Sequence, residues 1–458
     1  MKNLIRLLTL FSVAGLILTS CEGPMGPAGK DGLAGKDANE TCKLCHNSAG
    51  VDSVMTQFEL SKHAYGTTDF EESGSAGCAP CHTSEGFKYV AQNNVSVAFV
   101  ADPANPGKYL NPYNASSSQD YGEMRCSMCH DKLHTTYTDA DFLPLTTTAA
   151  VPMTMWGGAK TIDLQQNGGS SNLCAKCHQP RPFTNSNTDK NVLDYNALVA
   201  NPTAVFYDAA QSNSLNVLKP SYRTHTHYGT VADIFAGVGG VEFGTGYSNS
   251  AHSTVAACQD CHMAPITGRA GGHTFFSKGN FNGCNVGGCH SSDPISSSTT
   301  SAHWKQTRDE IKGLLDALAA KLNEGGADIL NRNPVSSENF LLNIDYNFDG
   351  SLEDVLVGAN LWAGLTTNNY DGYLNIYDPS SNPSGSTYNT TMFQNPSPAS
   401  SWNAAQKTFN STLPLLTLTN AQMGAIINFQ LCLREFSLGI HNHAYSKTLL
   451  TNSIAALP

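Results

Sequence analysis

The decisive stretch is His252-Ser253-Thr254-Val255-Ala256-Ala257-Cys258-Gln259-Asp260-Cys261-His262-Met263. It is followed by Gly271-Gly272-His273-Thr274-Phe275 and by Cys284-Asn285-Val286-Gly287-Gly288-Cys289-His290. Cys-x-x-Cys-His is the attachment signature of c-type haem. Two thiols must reach two vinyl groups on one porphyrin edge, and the adjoining imidazole must ligate the iron. The pentapeptide occurs five times: Cys42, Cys45 and His46; Cys78, Cys81 and His82; Cys126, Cys129 and His130; Cys174, Cys177 and His178; Cys258, Cys261 and His262. Cys284, Cys289 and His290 form a longer-spaced sixth, with two glycines to slacken the loop. The expectation is six haem c groups on one chain.

Outward from these motifs, the cysteines nearly account for themselves. Six pairs use twelve of the 14, leaving Cys21 and Cys432. A disulfide framework in an exported chain and structural zinc are the competing readings of paired cysteines. Neither requires a histidine directly after the second cysteine, so haem is preferred. Cys432, inside an apolar helical segment, reads as a buried thiol.

Of fifteen histidines, six belong to motifs, and nine remain: His63, His134, His225, His227, His252, His273, His303, His441 and His443. Nine available against six needed favours iron held by two histidines, without the potential-raising methionine. His63 and His252 each precede a motif, and His273 sits in a Gly-Gly turn suited to close backbone approach. His134 follows His130 by four residues, which as one helical turn would aim it at a neighbouring haem. His303 and His443 read as bystanders.

Composition agrees. Of 458 residues only 14% are charged, against about 25% in an average protein. Gly, Ser, Thr and Asn fill the difference, which predicts extensive loop around a porphyrin-filled core. The expected fold is mainly α with little sheet, a haem-packed core and a C-terminal helical part. The net charge of -11 argues against nucleic acid and anionic membrane surfaces as partners and suits basic redox proteins.

Residues 1–20 read as an export signal, with Lys2 and Arg6 before an apolar run from Leu7 to Leu18. Leu18-Thr19-Ser20-Cys21 resembles a bacterial lipobox, which implies a lipidated Cys21 on an outer-membrane lipoprotein, facing periplasm or cell surface. Residues 21–40 carry five Gly-x-y triplets, a collagen-like spacer too short for a stable triple helix. Residues 41–300 form the expected hexahaem domain, and 301–458 a helical region packing on it. Its helices are expected over Trp304–Leu322, Asn420–Phe436 and Tyr445–Leu457. Between them, 366–412 reads as irregular, being rich in Asn, Ser and Pro. The longest interval between motifs, Cys174 to Cys258, leaves room for a subdomain or a missing haem.

Asp345, Asn347, Asp349 and Gly350 match the first half of an EF-hand-type calcium loop. Leu356 stands at the twelfth position, so Glu353 or Asp354 would have to close it, and a plain Asx-rich turn is the other reading.

The series His225-Thr226-His227-Tyr228-Gly229, Ser250-Ala251-His252, Cys258 to Met263 and Gly271 to Phe275 resembles one group of multihaem cytochromes. That group contains pentahaem nitrite reductases, octahaem tetrathionate reductases and hydroxylamine oxidoreductases. Phe436-Ser437-Leu438-Gly439-Ile440-His441-Asn442, with Tyr445 beyond, is similar to the group's C-terminal helices. The resemblance spans about residues 220–300 and 420–458. It implies His225 or His227, His252, His273 and His441 as distal ligands. The nitrite and tetrathionate enzymes carry a catalytic motif ending in lysine, whereas every motif here ends in histidine. The expected function is therefore electron transfer across the envelope or to an extracellular acceptor. The alternative is a reductase of a small nitrogen or sulfur oxyanion at one open haem. A homo-oligomer or filament of such cytochromes is a third class.

Overall fold

The structure is a computed structural model. It describes residues 50–65, 79–92, 100–101, 109–110, 123–153, 160–180, 193–208, 220, 224–227, 229–277, 279–296, 302–322, 330–332, 341–344, 353–356, 370–374, 404 and 417–458. Two compact units divide the chain, Met1–Asp52 and Ser53–Pro458. The signal, Cys21, the spacer, the first motif (Cys42, Cys45, His46), Cys78 and the calcium candidates Asp345, Asn347 and Asp349 lie outside the described residues.

Three longer helices organise the second unit: α1 (Thr307–Leu322), α2 (Asn420–Arg434) and α3 (His443–Ala456), which pack on one another. In α1, Ile311, Leu315, Leu318 and Leu322 are buried on the expected stripe. The preceding residues, Ala302–Gln306, wind as a π-helical turn. Helix α2 begins with a capping box. Gln422 N–H donates to Thr419 Oγ1 at 3.2 Å, and Thr419 N–H donates to Gln422 Oε1 at 2.8 Å. Nearly every residue of α2 is buried, on all faces, so it is the central pillar. Cys432 on it is fully buried.

Phe436, Leu438 and Gly439 have φ of 63°, 55° and 87°, left-handed values that end the helical path and fold the chain back toward α3. Asn442 then caps α3, its Oδ1 accepting from Tyr445 N–H at 3.3 Å.

The Cys174–Cys258 interval packs against this pillar. Its strand Val205–Asp208 pairs antiparallel with Thr417–Thr419, just ahead of α2. Gly229 N–H donates to Arg434 O at 3.1 Å, and the Val241 backbone is held by Asn428. The interval is thus a structural saddle.

Elsewhere the unit is helix-rich with little sheet, and the sheets are two-stranded. One strand corrects the sequence reading. Tyr370–Leu374, inside the stretch taken as irregular, pairs with Leu330–Arg332. Its two tyrosines carry strand propensity that the overall Asn/Ser/Pro content hid. The calcium candidate Glu353 begins the strand Glu353–Leu356, paired with Leu341–Ile344. Among the described residues no helix is long and apolar enough to cross a membrane.

Candidate haem-binding sites

Four of the described motifs lie on or beside a short helix. Ala79–His82, Cys126–Cys129, Ser171–Ala175 and Cys258–His262 are four- or five-residue helices. The turn places cysteines three apart on one face, with the histidine one residue on. His130 N–H donates to Cys126 O at 2.9 Å and His178 N–H to Cys174 O at 3.0 Å. The longer sixth motif closes with the same bond, His290 N–H to Cys284 O at 3.0 Å. Gly288, at φ 87°, turns the additional residues outward, where a Cβ on Gly287 or Gly288 would meet nothing. The described motif cysteines form no disulfides with one another.

Opposite the motif histidines stand five others. Ring centroids are 6.2 Å apart for His178 and His63, 6.1 Å for His82 and His227, and 6.3 Å for His130 and His273. For His262 and His441 the separation is 6.2 Å, and for His290 and His252 it is 6.0 Å. Two imidazoles sharing one metal, each through a nitrogen about 2 Å away, have centroids about 6 Å apart. The five separations match that geometry.

Ring nitrogens point the same way. Nδ1 meets a backbone carbonyl in His178 (Gly229 O, 3.0 Å), His262 (Phe275 O, 2.9 Å) and His252 (Ile440 O, 2.7 Å). A neutral imidazole that donates from Nδ1 leaves the Nε2 lone pair for a metal. Burial, then the neighbouring His178 and His262, push His63 down to about 4. Burial and His441 do the same to His262. Both are therefore neutral at pH 7, the form that ligates.

His225 and His227, left open by the sequence, separate by tautomer. Arg434 donates to His225 Nδ1 at 3.0 Å, and His227 N–H donates to it at 3.2 Å. An accepting Nδ1 puts the proton of the neutral ring on Nε2, which removes the lone pair a ligand needs. His227 is the one that faces a motif.

His134 is a correction. The helix ends at Cys129, and His130 is extended, bridged to Leu145. His134 has φ 60° and stacks on Tyr137 at 5.8 Å, so no helical turn joins it to His130. The cause is Asp141, whose carboxylate accepts from Thr135, Thr136 and Tyr137 N–H at 2.9–3.0 Å and folds the loop on itself. His443 contacts Glu310 at 2.8 Å. His303 contacts Asp293 at 2.9 Å and lies 5.1 Å from His290 in centroid distance, shorter than the five matched pairs.

The Gly-Gly turn at His273 meets a requirement within the polypeptide itself. Gly271 and Gly272 have φ of 96° and 54°, and Cβ atoms there would fall 2.3 Å from Ala264 O and 2.1 Å from Gln57 Oε1. Gln57 Oε1 accepts from His273 N–H at 3.0 Å, fixing that backbone. Sequence reasoning did not find Gln57. Nor did it find Phe275, whose ring lies 4.8 Å from that of His63 and 5.8 Å from that of His273. Replacing His273 with Ala should leave the number of covalent haems unchanged. Carbon monoxide should then bind the reduced protein at the site of His130, seen as a new absorption band, and an unaltered spectrum would make His273 a packing residue.

The motifs adjoin out of sequence order. Cys177 Sγ lies 3.8 Å from Cys81 O, and Cys81 Sγ lies 3.9 Å from Lys176 O. The thiols of Cys174 and Cys258 are within hydrogen-bond reach, as are those of Cys261 and Cys284. The bond to Cys258 and then burial raise the Cys174 thiol, the bond to Cys81 and then burial raise that of Cys177, and Cys129 lies near enough to add to both.

Among the described residues no group of three or more His, Cys, Asp or Glu side chains forms a metal site. Porphyrin iron asks less of the protein, two axial ligands. Compared with known families, curated proteins and solved structures, the chain matches none.

Proposed function

We propose that the chain is an exported hexahaem c-type cytochrome, lipid-anchored through Cys21, that relays electrons across the envelope or to an extracellular acceptor. The observation that carries this reading is the set of five histidine pairs opposed at 6.0–6.3 Å, each with one member from a Cys/His motif. A haem in each place would cycle between ferric and ferrous iron and pass single electrons.

The chain's residues do the rest. The motif thiols would tether each group, the paired imidazoles would ligate its iron, and the carbonyls hold the ring tautomers. Blocked faces suit a relay better than a reductase, which needs a vacant position for its substrate. Thiol proximity supports a path from Cys81 through Cys177, Cys174 and Cys258 to Cys261 and Cys284, with Cys129 beside Cys174. Packing of 41–300 around porphyrin and docking on redox proteins belong to the same proposal.

Intact-mass measurement should give six covalent haems, one of them at Cys284 and Cys289. Electron paramagnetic resonance should show low-spin ferric iron in two classes, because axial ring orientation sets the signal shape. The His262/His441 rings lie at 17°, which predicts a rhombic spectrum. The His63/His178 and His252/His290 rings, at 74° and 78°, predict the anisotropic, single-feature type. A high-spin fraction at rest would overturn the relay in favour of an oxyanion reductase. Fewer haems would overturn the hexahaem count.

A further inference from the structure

We infer that Glu435 sets the potential of the site between His262 and His441, making it the lowest among those formed by the described histidine pairs. This rests on the haem reading above and deepens it.

His178, His262 and His252 have Nδ1 on a peptide carbonyl, at 2.7–3.0 Å. In His441 the partner is instead a carboxylate, Glu435 Oε2, at 2.5 Å. The acceptor comes from the last turn of α2, and the left-handed residues Phe436, Leu438 and Gly439 bring the imidazole back onto it. Strain of that kind persists where surrounding contacts enforce it. Here Ser437 Oγ donates to Glu435 Oε2 at 2.6 Å and Gly439 N–H donates to Oε1 at 3.1 Å.

The Glu435 side chain has no exposed surface. Its two oxygens accept three hydrogen bonds, from His441 Nδ1, Ser437 Oγ and Gly439 N–H, the surroundings of an ionised carboxylate. A buried negative charge is weakly screened. Two effects then act in one direction. The carboxylate draws the Nδ1 proton and makes Nε2 a stronger donor to iron. Its charge also favours ferric over ferrous iron. Both lower the potential. Such a site would be the last of its neighbours to accept an electron and the first to give one up.

The test uses the full-length holoprotein. Covalent haems are counted in the wild type and in Glu435→Gln, and both are then titrated potentiometrically with optical detection. Glutamine keeps a hydrogen-bond acceptor and removes the charge. Haem count should not change, and the lowest-potential component should move up. At a fixed potential its reduced-to-oxidised ratio should rise tenfold or more, about 59 mV for one electron. Ser437→Ala removes a competing donor and leaves the carboxylate more fully to His441, so the same component should move severalfold in the opposite direction.

A wild type without haem at Cys258 and Cys261 would sink the haem reading itself. Full haem content with an unmoved titration would overturn the role of Glu435 alone. Should Glu435→Gln lose that haem, the Ser437→Ala titration decides, and no downward shift there overturns the inference.

Discussion

A chain produced without haem attachment is expected to keep α1, α2 and α3 folded while losing protection across residues 79–150. The two regions differ in apolar core. The main cluster joins Ile311, Leu315 and Leu318 of α1 with Ile426, Phe429 and Leu433 of α2 and Leu449 of α3, and extends to Tyr195, Phe206 and Phe243. The second cluster consists of Phe87, Ala91 and Met128, with Met124, Leu173 and Cys177 at its edge. Buried side chains contribute about 2 kcal/mol each. Ordering a residue costs about 1 kcal/mol or more. Among the described residues of 79–150 the buried apolar side chains are Ala79, Phe87, Val90, Ala91 and Met128, little against that cost, so on the haem reading proposed above porphyrin faces would supply the missing apolar surface. Hydrogen exchange or limited proteolysis on haem-free and haem-loaded protein would show it. Equal protection of 79–150 in both would mean that the polypeptide folds without the cofactor.

Asn428→Ala should strongly destabilise the C-terminal core. Asn428 is fully buried in the middle of α2. Its Oδ1 accepts from Val241 N–H at 2.8 Å, and its Nδ2 donates to Val241 O and to Ser453 Oγ, each at 2.8 Å. One side chain thus ties the Cys174–Cys258 saddle and α3 to the pillar. Alanine leaves a buried N–H and a buried C=O without their partner, at about 1–3 kcal/mol each. A loss of about 3 kcal/mol or more is expected, a sizeable share of the 5–15 kcal/mol typical of a domain. It would be read as a lower denaturant midpoint, with haem content unchanged because no histidine or motif cysteine is touched. A shift under about 1 kcal/mol would mean that water replaces the amide.

Sequence reading went furthest where a feature is local. The five Cys-x-x-Cys-His pentapeptides could be read because thiol and imidazole spacing is fixed within a few residues, and the sixth because Cys289 and His290 keep the second half of the pattern. The α1 stripe at Ile311, Leu315, Leu318 and Leu322 was legible for the same reason, since its period belongs to the helix itself. The α2 and α3 helices announced themselves by apolar content, with ends a residue or two from those expected.

What faces what could be decided only in three dimensions. The partners His63 and His178 are far apart in sequence, as are His227 and His82, and no spacing rule connects them. His134 misled because four residues from His130 counts as a turn only if the helix continues, and Asp141 folds that loop another way. His225 and His227 look equivalent as letters, and Arg434 from α2 separates them by claiming Nδ1 of the first. Glu435 gave little signal beyond a charged residue at the end of an apolar helix. Its meaning comes from a left-handed turn that brings His441 onto its carboxylate. Local chemistry is written in neighbouring residues, whereas histidine pairing, tautomer and the order in which motifs adjoin depend on contacts that only the folded chain creates.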